Sequence, residues 1–225
     1  MTDETIFYRR NLPHIQPRHG IFFITFRLAG SLPNHVIEQL KKDRQKQLKA
    51  LAERGVRPLE FKDEKYKVEK RNFAKFDEWL DKCTEGPVWL KDARVAQIVA
   101  DKIHELDKKR YHLICYCIMS NHVHLLIGQT ESHRLAASIR SDQTKNYLLT
   151  DTLRLLKGST ARLCNLHLAR SGKFWHNESY DHYVRDEEEF ARIVEYILYN
   201  PVKAGLVENW QDWKFTYLDQ GMETA

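Results

Sequence analysis

Cysteine is scarce in this 225-residue chain: there are four, Cys83, Cys115, Cys117 and Cys164, and only one pair lies close together. That spacing builds no disulfide framework and points to a reduced, cytoplasmic protein. Long hydrophobic runs are missing as well. No stretch reaches the roughly 18 consecutive apolar residues that suggest a bilayer span, so no membrane partner is expected. The first residues, Met1-Thr2-Asp3-Glu4-Thr5, are polar and lack the pattern of a secretory leader. Internal repeats and low-complexity linkers are absent too. The expectation is one domain over residues 1–225, with a helical insertion at about 31–107 between the first two strands.

Apolar residues make up 42% of the chain, enough for a core, and the net charge is a modest +5. The charge is unevenly spread. Between Arg134 and Lys173 eight Lys/Arg stand against two acids, a local excess larger than that of the whole chain. Such a segment is the footprint expected of a phosphate-binding surface, although a solvated helix face has the same composition. Arg140, Lys145 and Lys173 are its phosphate-contact candidates.

Residues 7–19, with two prolines and scattered polar groups, read as irregular. Ile21–Leu28 is aromatic and β-branched, a first strand. Residues 34–82 carry dense mixed charge; Val36, Ile37, Leu40, Leu48 and Leu51 at spacings of three and four predict a long amphipathic helix. Arg54–Lys70 is too polar to place, and Phe73, Phe76, Trp79 and Leu80 form another helical face. Asp92–Asp107 predicts a further helix. Tyr111–Ile118 and His122–Ile127 read as an antiparallel hairpin closed by Met119-Ser120-Asn121. Helices are expected at Ser132 to about Leu149 and at 151–168, and a fourth strand at Lys173-Phe174-Trp175-His176. A last helix opens on the acids 186–189, favourable for its dipole, and Pro201 is expected to limit it.

The chemistry centres on His122-Val123-His124. Side chains on a strand alternate faces, so both imidazoles point one way and together can ligate one divalent metal. Tyr196 and Asn200 are four apart on the late helix and share a face. Laid against the sheet, that helix would present a phenol as nucleophile and an amide oxygen as third ligand. A phenol with an ordinary pKa near 10 is a poor nucleophile at neutral pH; a nearby cation favours the phenolate and polarises the phosphate it attacks. Tyr199 is the rival nucleophile, and Asn200 before proline also suits a helix C-cap. Cys115 and Cys117 read either as structural zinc ligands or as buried apolar thiols. Trp175 reads as a base-stacking platform or as a core residue. His176 and His182 suit phosphate contact or local hydrogen bonding.

These motifs together resemble the REP-associated tyrosine transposases, relatives of the single-strand insertion-sequence transposases of the HUH class. HUH denotes His-hydrophobic-His, here His122-Val123-His124. The resemblance extends to Tyr196-Ile197-Leu198-Tyr199-Asn200-Pro201-Val202-Lys203-Ala204-Gly205-Leu206-Val207, to Leu12-Pro13-His14-Ile15, to Thr25-Phe26-Arg27-Leu28, and to Trp175 with Tyr180-Asp181-His182. One departure is Ser120, where the family often has proline.

The resemblance implies an α+β, ferredoxin-like (RRM-like) fold: a four-stranded antiparallel sheet with helices on one face. It implies Mg²⁺ or Mn²⁺ on His122, His124 and Asn200, and Tyr196 as the catalytic nucleophile on single-stranded DNA beside a hairpin. The implied product is a 5′-phosphotyrosine link and a free 3′-OH, with no nucleotide cofactor. Arg9, Arg140, Lys145, Lys173, Trp175, His176 and Lys203 are then the DNA-binding candidates, in a monomer or homodimer. Two other readings stay open: a non-catalytic protein that binds structured nucleic acid on the same fold, and a zinc-stabilised interaction module.

Overall fold

The computed structural model describes residues 20–82, 85–129 and 148–222, together with the backbone of two short strands at Ile6–Arg9 and Pro13–Gln16. The chain divides into two compact units, one formed by Met1–Ala29 and Val88–Ala225, the other by Gly30–Pro87.

In the first unit, β1 (Ile6–Arg9) and β2 (Pro13–Gln16) pair antiparallel, so the irregular reading of residues 7–19 is corrected. The prolines permit this because Pro13 is the first residue of β2 and Pro17 follows its end, where no ladder N–H is needed. Among the described residues the main sheet has five antiparallel strands rather than four. They are β3 (Ile21–Arg27), β4 (His112–Ile118), β5 (His122–Gly128), β6 (Tyr180–Val184) and β7 (Thr216–Leu218), in the order β6-β3-β5-β4-β7. The β4–β5 hairpin closes through the Met119 N–H donating to His122 O at 2.9 Å. The expected strand at Lys173–His176 makes only an isolated bridge, Leu28 with Trp175. The edge beyond β3 is taken by β6 instead, whose register sets Phe23 opposite His182 and Thr25 opposite Tyr180.

Both faces of this sheet are covered, which corrects the expectation of helices on one face. On one face Phe22, Ile24, Phe26, Val123, Leu125 and Ile127 share a buried core with α3 (Ala93–Leu106) and α4 (Leu148–His167). Helix α3 contributes Val95, Ala96, Val99, Ala100, Ile103 and Leu106 at helical spacing. Its N-cap is Asp92, whose carboxylate accepts from the backbone N–H groups of Arg94 and Val95. Helix α5 (Glu187–Lys203) lies against the other face, on β4 and β5. Its N-cap Asp186 accepts from Glu189 N at 2.7 Å, and three acids fill its first turn.

Pro201 does not stop α5: the helix runs on to Lys203. Proline deprives the Ile197 carbonyl of its partner, and Asn200 adopts the conformation that a following proline disfavours. The burial of Asn200 and Pro201 offsets this, and Ala204 N, Gly205 N and Leu206 N close the end on the carbonyls of Asn200, Val202 and Pro201.

The second unit is a helical hairpin, α1 (Asn34–Glu53) and α2 (Pro58–Lys82), the two expected helical faces, with the polar stretch 54–70 falling partly in the turn and mostly in α2. Gly55 turns the chain at φ 61°, a conformation that costs glycine little, and Pro58 starts α2 where its missing N–H is harmless. Val36, Leu51, Val68 and Leu80 are buried, and the Arg44 guanidinium grips the Glu69 carboxylate through two bonds of 2.7 and 2.6 Å. Among the described residues, no helix is long and apolar enough to cross a membrane. The predicted helix from Ser132 lies outside the described residues up to Leu148, where α4 begins.

Candidate active site

Strand β5 carries His122 and His124 on the sheet face that α5 covers. Both imidazoles are fully buried, and their Nε2 atoms stand 3.0 Å apart. Behind them, His122 Nδ1 lies 2.6 Å from Asn121 Oδ1, and His124 Nδ1 lies 2.8 Å from Thr25 Oγ1 across the β3–β5 ladder. Burial holds His122 down to about 3. Burial, then His122 and Lys203, hold His124 well below the usual imidazole range. Both rings are therefore neutral at pH 7, the form that binds metals.

Helix α5 brings its two candidates to the same place. The Asn200 amide nitrogen lies 3.2 Å from His124 Nε2, while its Oδ1 is buried with no hydrogen-bond partner among the described residues. The Tyr196 ring meets His124 edge-on at 5.5 Å and Phe23 at 6.0 Å. Its hydroxyl is also buried, with no hydrogen-bond partner among the described residues. Lys203 Nζ sits 5.7 Å from the Tyr196 ring. Tyr199, the rival, is 51% exposed and faces away into solvent. Three residues are about 300° of helix, enough to separate the two phenols.

These donors fit a divalent cation. Two nitrogens at about 2.1 Å from one ion and about 90° apart would lie about 3.0 Å from each other, the spacing seen here. Turning the Asn200 amide over aims its orphan oxygen at the same point; amide oxygen and nitrogen differ little in shape. The two cysteines do not join this group. Cys115 and Cys117 are fully buried, and burial pushes the Cys115 thiol far above its ordinary value. Among the described residues neither belongs to a group of potential metal ligands with the histidines.

The DNA-binding candidates separate sharply. Lys173 and Lys203 are exposed. Trp175 is a core residue: it is 5% exposed, packs edge-on against Phe26 and Phe174, and donates its indole N–H to Thr160 Oγ1 at 2.9 Å. No ring face remains for a base. His176 is half-buried; its Nδ1 accepts from Glu178 N at 3.2 Å, and burial, then Arg27, lower it to about 4. His182 pairs with the buried Glu189 at 3.3 Å. The side chain of Arg9, and all of Arg140 and Lys145, lie outside the described residues.

Part of the basic segment is structural. The Lys157 ammonium is spent on His176 O, Asn177 O and Ser179 Oγ at 2.8–3.1 Å, and Arg170 stacks 3.7 Å above the Trp89 ring. Reading the sequence also passed over Thr25 and Asn121. Asn121 precedes the histidine pair and was legible as its neighbour. Thr25 is 99 positions from His124, and only the strand register joins them.

No family model matches the chain. A protein of Haemophilus influenzae Rd named "Putative REP-associated tyrosine transposase" is 32% identical over 107 residues. This chain is similar to that protein over that stretch. The match covers 47% of this chain and 58% of the relative, so the chain spans little more than half of that protein's length. A solved structure described as that of a REP-associated tyrosine transposase bound to a REP hairpin aligns over 88% of this chain and 75% of its own. Its identity is 16% and its TM-score 0.47.

Proposed function

We propose that this chain is a metal-dependent DNA strand transferase that cleaves and rejoins single-stranded DNA beside a hairpin. The observation that carries the reading is the convergence of His122 and His124 Nε2, the Asn200 amide and the Tyr196 phenol in one buried site. The name of the Haemophilus relative supports the same reaction class and a REP-type palindromic substrate. The element order β3-α3-β4-β5-α4-β6 supports a ferredoxin-like core with β7 added at its edge.

His122 and His124 would hold the cation through Nε2, and Asn200 would complete the set through its amide oxygen. A Mg²⁺ or Mn²⁺ held there would supply the charge that polarises the scissile phosphate and favours the phenolate. Imidazole nitrogens suit Mn²⁺ better than Mg²⁺. The Tyr196 oxygen attacks phosphorus, the bond to the 3′ oxygen breaks, and the phenol's proton leaves while the departing 3′ oxygen takes one up. A phosphotyrosine at the 5′ end results, and attack on it by a 3′-OH rejoins the strands. Phe23 and His124 orient the ring from its sides, and the Lys203 cation beside it favours the phenolate.

The test is covalent trapping on labelled hairpin DNA with single-stranded flanks, in Mn²⁺ or EDTA, resolved on a denaturing gel. A metal-dependent adduct in the wild type and in Tyr199→Phe, but not in Tyr196→Phe, is expected. Hairpin binding without any adduct across the host genome's palindromes would make the protein a non-catalytic binder.

A further inference from the structure

The two imidazoles are braced from behind by side chains of different kinds. Asn121 offers His122 an amide oxygen, which only accepts hydrogen bonds; Thr25 offers His124 a hydroxyl, which both donates and accepts. Facing an acceptor at 2.6 Å, His122 carries its proton on Nδ1 and presents a lone pair at Nε2. His124 is satisfied by Thr25 in either tautomer.

That difference matters because the Nε2 atoms face each other at 3.0 Å. Two lone pairs at this distance repel. With His122 held as above, two arrangements of the neutral rings satisfy the pair. In one, His124 carries its proton on Nε2, donates it to His122 and accepts from the Thr25 hydroxyl at Nδ1. In the other, both Nε2 lone pairs point at a cation, His124 carries its proton on Nδ1, and Thr25 accepts it. Asn200 serves both: with its amide turned over, Oδ1 shares the one His124 Nε2–H with His122 in the first and meets the cation in the second.

We propose that Asn121 and Thr25 are positioning residues that ready the histidine pair for its metal, Asn121 by locking the His122 tautomer and Thr25 by letting His124 exchange tautomers. The exchange is balanced. One proton leaves His124 Nε2, one returns at Nδ1, and both rings stay neutral. Direct partners of ligating histidines fix the tautomer and the ring orientation, and their loss typically weakens metal binding by about 10- to 100-fold. The inference rests on the metal reading of the site given above.

The first measurement is the imidazole ¹⁵N–¹H correlation spectrum of the full, EDTA-treated chain, which reports each tautomer without metal or activity. His122 is expected with its proton on Nδ1 and His124 with its proton on Nε2. The second is Mn²⁺ affinity by calorimetry. Thr25→Val and Asn121→Ala are each expected to lose about 10- to 100-fold, and Thr25→Ser to restore wild-type affinity. A His122 proton on Nε2, or unchanged Mn²⁺ affinity in folded Thr25→Val, overturns the positioning role while the metal reading stands. A wild type that binds no Mn²⁺, even with both tautomers as expected, overturns the metal reading and the positioning role with it. The wild-type spectrum decides the tautomers even where a variant fails to fold.

Discussion

Tyr196 is the proposed nucleophile, and among the described residues its hydroxyl, buried beside His124, has no hydrogen-bond partner. An unpaired buried hydroxyl costs stability, on the order of 1–3 kcal/mol. Tyr196→Phe is therefore expected to abolish the DNA adduct yet leave the fold as stable as the wild type, or up to that much more stable, in urea unfolding. A tyrosine held for structural hydrogen bonding would give the opposite result. Trp175 makes the contrary case. Trp175→Phe is expected to lower stability by about 1–3 kcal/mol, through the lost bond to Thr160 and lost packing. The affinity of the folded variant for single-stranded DNA should stay unchanged, as fluorescence anisotropy would report.

Burial of His122 sets a pH dependence at the same scale. Its folded value, about 3, lies below the ordinary 6.5, so the unfolded chain binds the proton first as pH falls. The associated stability is fully present above 6.5 and is lost as pH drops from there toward 3. In EDTA, urea unfolding at pH 5 should show about 2 kcal/mol less stability than at pH 7.5 from this group alone. His176, lowered to about 4, adds a loss of the same sign. Stability that rises from pH 7.5 to 5 would contradict the buried, neutral pair.

Among the elements, α5 carries the proposed site: one helix supplies Tyr196, Asn200 and Lys203, and its start depends on Asp186. Asp186→Ala removes the cap and is expected to cost about 1 kcal/mol, seen as a lower urea midpoint, with fraying at the N-terminal turn and not at Tyr196. The pattern of acids near Asp186 made this beginning legible. The end was not, because Pro201 reads locally as a stop. The helix passes it only because Asn200 and Pro201 are buried. Strand β7 was hidden for a related reason. Thr216–Leu218 is three residues long, too short for a period-2 signal, and it exists through pairing with Cys115–Cys117. The segment at Lys173–His176 looked equally extended, yet only one bridge ties it to the sheet.

At the scale of the whole molecule the basic excess is two populations. Lys157 and Arg170 are consumed by the fold, whereas Lys173 is exposed. Binding of single-stranded DNA should weaken linearly with log salt, and Lys173→Ala should reduce that slope by about 0.7. Lys157→Ala should leave the slope unchanged and lower the melting temperature instead. Equal effects of both variants on the slope would show that exposure is a poor guide to phosphate contact in this chain.

What the amino-acid sequence determined by itself was short-range. Strand alternation put His122 and His124 on one face, helical spacing put Tyr196 and Asn200 on another, and both follow from backbone geometry within a few residues. Tertiary structure decided which faces meet. The β3–β5 register brings Thr25 to His124, and α5 packing brings Asn200 to it across 76 positions. It also decided that Trp175 is core and Lys157 a staple. Partners so distant in sequence are chosen by burial and register, which depend on the whole chain at once and leave no local trace.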